Sequence, residues 1–438
     1  MNQVQRAQRD SLFNKWVQSA SAVTAPWDYA LARNIPSFTE YINRGNATAA
    51  QLNGSNQWAI PRVGLLKKIK LQIHMVVTNV ISGADFQALA SNPYAQIQCM
   101  RQVTLRSRNR DLAILTPDMI IDSINRSPNS SVVSLLTDAA HGGAAINTHS
   151  STGAVDAATH VSDFVFEIDL PFSFTERLSN ALYTDFAADL ELVVEWQPSA
   201  TILSTSGGGG AAGMSVTTAV TPLMINNALF ATVRDTAATQ TSCTLTTFDC
   251  TPVYHWVIPN LEEQAKLQQS IMAAAPEGIP RVQYDVYRES NYVLAVNQPD
   301  HPFPITCPYP TARTIISVVD AGTHNLGKYL DVITEVALWV NGQEYAKWTR
   351  AELKEREQLP PYHRNSATEQ LAIDWTLTGS LLDQGGFMPM RKFANKSLRF
   401  KFNAATVPAS AVLRVEHLYH VIEQMAPGNG SFSLSSFD

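Results

Sequence analysis

Apolar and polar residues alternate with period two through most of the chain, the pattern of strands that bury one face. Ile69, Leu71, Ile73, Met75 and Val77 interleave with Lys68, Lys70, Gln72 and His74. The same holds for Phe164, Phe166, Ile168 and Leu170, for Leu190, Leu192, Val194 and Trp196, and for Leu398, Phe400 and Phe402 around Arg399 and Lys401. Each run predicts a strand lying with its apolar face on a core. Helical periods are few and short: the N-terminus, Pro117 to Ile124, Glu176 to Tyr183, Leu261 to Met272 and Thr349 to Glu357. The balance predicts an all-β protein with short helices in its connections. Ser127 to Ser162 and Ser199 to Pro222 follow neither period and are rich in small polar residues, so they read as long loops leaving the ends of a sandwich.

The most specific signal is internal. Val103, Leu105, Leu112, Leu115, Thr116 and Ile120 match Val336, Leu338, Tyr345, Trp348, Thr349 and Leu353 without a gap, each at an offset of 336 − 103 = 233. Each copy reads as a strand, a polar turn, a short second strand and a helix opened by threonine. Asn341-Gly342 is a strong two-residue hairpin turn. Thr349 with Glu352 fits a capping box, and Thr116 followed by Pro117 says the same in other residues. Downstream, Phe164, Phe166 and Ile168 match Ile373, Trp375 and Leu377 at an offset of 209, and Leu190 and Leu192 match Leu398 and Phe400 at 208. The drop, 233 − 209 = 24, places 24 extra residues in the first copy, within the Ser127 to Ser162 loop.

The chain thus reads as two copies of one β-sandwich, which 438 residues permit. The expected division is an N-terminal helix and arm at 1–55, a first sandwich at 56–235, a linking region at 236–282, a second sandwich at 283–425 and a flexible tail at 426–438.

The order of strand, turn and Thr-capped helix, then Asp163 to Phe172, Leu178 to Tyr183 and Asp189 to Trp196, resembles the double jelly-roll major capsid proteins. These include the coats of tailless, membrane-containing bacteriophages and of large algal viruses, and the adenovirus hexon. The resemblance spans roughly Trp58 to Glu423 and rests on elements and apolar positions rather than on an invariant motif. It implies two tandem jelly rolls, a homotrimeric capsomer with a pseudo-hexagonal outline in an icosahedral shell, strands perpendicular to that shell and loops raised as towers outside it. It further implies contacts with neighbouring capsomers and with minor capsid or penton proteins, a place in the virion and assembly in the host cytoplasm. Ala237 to Pro259 lacks a counterpart in the other half, which leaves the boundary between jelly rolls open.

Composition narrows the function. Charged residues are 16% of the chain and apolar ones 45%, so much of the surface is neutral and suited to subunit contacts. With a net charge of −6 and no run of five or six lysines or arginines, direct nucleic-acid binding is not expected. Cys99, Cys243, Cys250 and Cys307 form no CxxC pair and read as free thiols in a reducing compartment. Met1 to Val23 has no apolar h-region, and no apolar run reaches the length of a membrane span, so neither a signal peptide nor a spanning helix is expected.

Candidate chemistry is sparse. Glu416, His417 and His420 fall together on the last long strand, but residues three apart on a strand face opposite ways, so the two histidines do not converge on a metal. Asp163, Glu167 and Asp169 share a strand face, as a glycosidase pair would, and equally as the polar face of an amphipathic strand. His141, His149 and His160 lie in the long loop. No catalytic residue, metal site or cofactor is expected, and the protein does not read as an enzyme. At the N-terminus, Phe13, Trp16, Val17 and Ala20 fall on one helical face with Arg6, Arg9 and Lys15 beside it. Such a helix suits either an internal membrane's headgroup layer or the underside of the protein shell. Two rival readings share the fold: a minor capsid or vertex protein, and a glycan-binding or glycan-cleaving two-domain sandwich.

Overall fold

The alternation at Ile69 to Val77 acts as its period dictates: all five apolar side chains are fully buried, and the intervening polar residues lie on the opposite, half-exposed face. In the computed structural model the described residues run from 38 to 436, leaving out 83–84, 92–93, 127–144, 152–157, 177–181, 204–228, 235–238, nearly all of 260–278, 295–299, 321–331, 354–369, 377–386, 404–410, 426–431 and a few single positions.

The first unit comprises β1 (Phe38–Arg44), β2 (Thr48–Ala49), β3 (Ser55–Ala59), β4 (Leu65–Ser82), β5 (Asp85–Ser91), β6 (Met100–Ser107), β7 (Arg110–Leu115), β8 (Ala145–Ser151), β9 (Ala158–Leu170), β10 (Leu182–Tyr183), β11 (Leu190–Trp196), β12 (Phe230–Arg234) and β13 (Thr239–Pro259). The second comprises β14 (Ile279–Arg288), β15 (Tyr292–Val293), β16 (Asp300–Pro304), β17 (Pro310–Asp320), β18 (Ile333–Val340), β19 (Gln343–Thr349), β20 (Gln370–Asp374), β21 (Met388–Pro389), β22 (Lys396–Phe402), β23 (Ala411–Met425) and β24 (Phe432–Ser436). One sheet of the first unit runs β1-β13-β4, with β9 and β10 along the far side of β4, and faces a second sheet, β3-β11-β6-β7. The second unit repeats this as β14-β23-β17-β20 over β16-β22-β18-β19. The ladders among the described strands are antiparallel, β1 neighbours β13 and β14 neighbours β23, and apart from the hairpins the chain crosses between sheets. That is the jelly-roll order, present twice.

The 233 offset is exact in the structure: β6 and β18 occupy 100–107 and 333–340, and both hairpins carry a bulge, at Leu112 and Tyr345. Asn341 and Gly342 have φ of 51° and 83°, as the hairpin turn requires. The later offsets need correction. Leu192 pairs with Leu105 and Leu398 with Leu338, an offset of 206 rather than 208. Leu170 beside Ile69 matches Ile373 beside Thr314, an offset of 203 rather than 209, so the first copy carries 233 − 203 = 30 extra residues. Both errors are even numbers. A slip by an even number keeps every apolar residue on the same strand face, so hydrophobicity alone cannot detect it.

Other boundaries also move. Residues 239–259, read as linker, form β13, the central strand between β1 and β4. Residues 38–44 and 48–49, read as arm, are strands of the same sheet. Phe432–Ser436, read as flexible tail, pairs along the end of β23. The stretch 127–162, read as a loop, contains β8 and the start of β9; β8 pairs with β5, which pairs with β12, in a small third sheet. Of the helix expected at 176–183, residues 177–181 lie outside the described ones; Ser173–Glu176 is helical, beside the stacked rings of Phe172 and Phe174, and Leu182–Tyr183 extends the sheet on β4. The helical pattern at 261–272 falls almost wholly outside the described residues.

Candidate functional site

The two jelly rolls meet along a seam built on one helix, α1 (Pro117–Arg126). Its start is fixed by Thr116, whose Oγ1 accepts from the Met119 amide at 3.1 Å. The second copy repeats this at Thr349, where a complete capping box with Glu352 closes at 2.7 and 3.2 Å. Met119, Ile120, Ile121 and Ile124 are buried, while Asp118 and Asp122, one turn apart, reach the outward face of the second roll. Asp118 accepts from Ser317 Oγ and Arg414 Nη2, each at 2.8 Å, and its backbone carbonyl accepts from Gln370 Nε2 at 2.6 Å. Arg313 donates to Asp122 at 2.8 Å and to Asp374 at 3.2 Å. Arg313 and Asp122 are both essentially without solvent contact, so each offsets a charge that water does not reach.

Glu416 completes the seam. Thr116 Oγ1 donates to it from the first roll, and Arg288 Nε donates at 3.1 Å. Burial pushes its carboxyl above the usual range, with Arg288 opposing and Asp118 adding to the rise. Tyr284 Oη donates to the Pro171 carbonyl at 2.7 Å, and β14 packs against β7. Tyr284, Ala312, Ile315, Val319, Val412 and Leu418 of the second roll belong to the same apolar cluster as the first roll's core. The seam is therefore a continuous packed interior carrying paired charges. A cavity of 330 Å³ opens at its margin, where Arg101, Arg288 and Arg414 face Glu289 and Glu416, leaving its charges nearly balanced.

The histidines singled out by sequence divide as strand parity requires. His417 turns away from the seam: its Nδ1 lies 2.9 Å from Thr314 Oγ1 and its Nε2 3.4 Å from Glu289. Burial lowers its pKa, against the raising effect of Glu289. Glu289 itself is raised by burial, but His417, Thr306 and the Cys307 amide outweigh that and hold it below the usual range. His420 lies three residues on, beside Tyr284 across the ladder. Asp163, Glu167 and Asp169 pair with His74 at 2.8 Å, Lys70 at 3.2 Å and Lys68 at 2.6 Å across the half-exposed face of β4. They form a cross-strand ladder. Cys99, Cys250 and Cys307 are buried free thiols. His141, His149, His160 and the N-terminal set Arg6, Arg9, Phe13, Lys15, Trp16 and Val17 lie outside the residues whose side chains are described.

The seam residues Asp118, Asp122, Arg313 and Arg414 escaped the sequence reading. A signal was there. Asp118 and Asp122, four apart on a helix that also carries Met119, Ile120, Ile121 and Ile124, mark a second face suited to cations, and Ala312 to Val319 lacks the strict alternation of Leu65 to Val77.

No protein-family model matches the chain, and no curated protein matches it. Solved structures do. PBCV-1 VP54, in a crystal structure fitted into a reconstruction of the virophage Sputnik, superposes with a TM-score of 0.62 over 93% of this chain and 98% of that one, at 11% identity. The Faustovirus major capsid protein gives 0.56 over 98% of both chains at 10% identity, and that of mavirus 0.50 over 90% of both at 10%. The chain has the double jelly-roll fold. The superpositions cover both rolls, so the duplication found in the sequence is the fold's own repeat.

Proposed function

We propose that the chain is the major capsid protein of an icosahedral virus, assembling as a homotrimeric capsomer in which six jelly rolls surround a threefold axis. The observation that carries this reading is the nearly complete, mutual coverage between this double jelly roll and two proteins that are themselves major capsid proteins. A neutral, charge-poor surface supports it. The capsomer joins its neighbours in the virion, with minor capsid or penton proteins at special positions, after assembly in the host cytoplasm. Residues 1–20, with Phe13, Trp16 and Val17 beside Arg6, Arg9 and Lys15, serve the inner face of the shell. Light scattering on the purified protein is expected to give three times the 48.1 kDa chain mass, and electron microscopy a hexagonal outline. A monomer without that outline would overturn the reading. Deleting residues 1–20 is expected to leave trimers intact while impairing shell assembly.

A further inference from the structure

The seam inside the chain has two unused halves. The first roll gives its β7 and α1 to the second roll's β14 and β17. The matching edge of the second roll, β19 and the helical turn at 350–353, meets no such partner within the chain's described residues, and neither does the matching face of the first roll, β1 and β4. The register fixes the counterparts. β4 and β17 share a bulge, at Lys67 and Ala312, so Lys68 stands where Arg313 stands and Gln72 where Ser317 stands. Through the same ladders Ile42 stands where Val286 stands.

Residues at the two free halves are built for contact. Tyr345 is 65% exposed, whereas its counterpart Leu112 is buried. Ile42 is 57% exposed, whereas Val286 packs on the first roll's core. Val161 and Val165 are bare beside the charged ladder of β4. Charge type is also kept. On the face, Arg313 is replaced by Lys68, a base again.

We infer that these two halves bind each other between copies of the chain: the edge at Tyr345 and Ala351 of one copy seats on the face at Ile42, Lys68 and Gln72 of the next. The contact is heterologous and head to tail, so repetition closes a ring. This rests on the trimeric reading above and assigns its faces.

Asp118 hydrogen-bonds Ser317 within the chain, and their counterparts are Ala351 and Gln72. The double variant Ala351→Cys, Gln72→Cys, oxidised in solution, is expected to give copy-to-copy disulfide products ending at three chains, with neither single variant doing so. Lys68→Glu, at a half-exposed site, is expected to keep its circular dichroism and weaken trimer association by at least about tenfold. Trimers by light scattering with no bond in the double variant, or with Lys68→Glu associating normally, would overturn the face assignment and leave the trimer standing. Wild-type monomers at every concentration would sink both.

Discussion

β4 and β17 hold the same place in their jelly rolls, share a bulge, and live in different surroundings. β4 buries one face and shows the other, where Lys68, Lys70 and His74 meet Asp169, Glu167 and Asp163 at the solvent boundary. β17 is buried on both faces from Thr311 to Val319, because α1 covers its outer side. The same strand position therefore carries a cation in water in one roll and a cation in the interior in the other. Duplicated folds diverge where their neighbours differ, and the cost of removing a charge should follow the neighbour and not the strand.

Asp122→Ala, which strips Arg313 of its buried partner, is expected to lose about 3–5 kcal/mol in urea unfolding. Its surface analogue Asp169→Ala is expected to lose about 0–1 kcal/mol. Equal losses would break the comparison. Replacing the fully buried pair, Arg313→Met with Asp122→Leu, is expected to recover part of the stability, since those two charges leave together while Asp374 keeps its hydrogen bonds from Thr376.

The two caps sharpen the contrast at smaller scale. Thr116 caps α1 and also donates to buried Glu416, so Thr116→Ala is expected to cost about 2–4 kcal/mol. Thr349 makes its capping box in water, and Thr349→Ala is expected to cost about 1 kcal/mol.

Titration separates the two sides of β23. His417, buried and held below its usual pKa of 6.5, is neutral in the folded chain, so its stabilisation is complete above pH 6.5 and is lost as pH falls through the folded pKa. Glu416, raised by burial, has the opposite sign: its contribution is full below pH 4.5 and lost as pH rises through its folded pKa. Thermal unfolding of His417→Gln is expected to flatten the acid-side decline, which for one group has a slope of up to about 1.4 kcal/mol per pH unit. An unchanged profile would show that His417 is not the group responsible.

Much of the fold was legible because jelly-roll strands with one wet face write their period into the chain. The runs at Ile69, Leu190 and Leu398 gave strands and faces, and the hairpin with its Thr-capped helix gave the duplication. Register was legible only where a turn and a cap pinned it, at the 233 offset. β9, β11 and their counterparts have no such marks, and the alignment slid by six and two residues without disturbing a single apolar face. β13 was missed because the polar residues of its first part, Thr239 to Thr247, hide its strand character from any alternation test.

The sequence by itself determined the all-β class, the repeat and the helix caps, since each depends on neighbours a few residues apart. It also determined which face of each amphipathic strand points inward. Only the tertiary structure decided which of two equivalent faces is covered, because Asp122 and Arg313 lie 191 positions apart and their pairing exists only once α1 docks on β17. The physical reason is range: periodicity and capping act within a turn or a pleat, whereas a buried ion pair forms only when two separately folded surfaces exclude water between them.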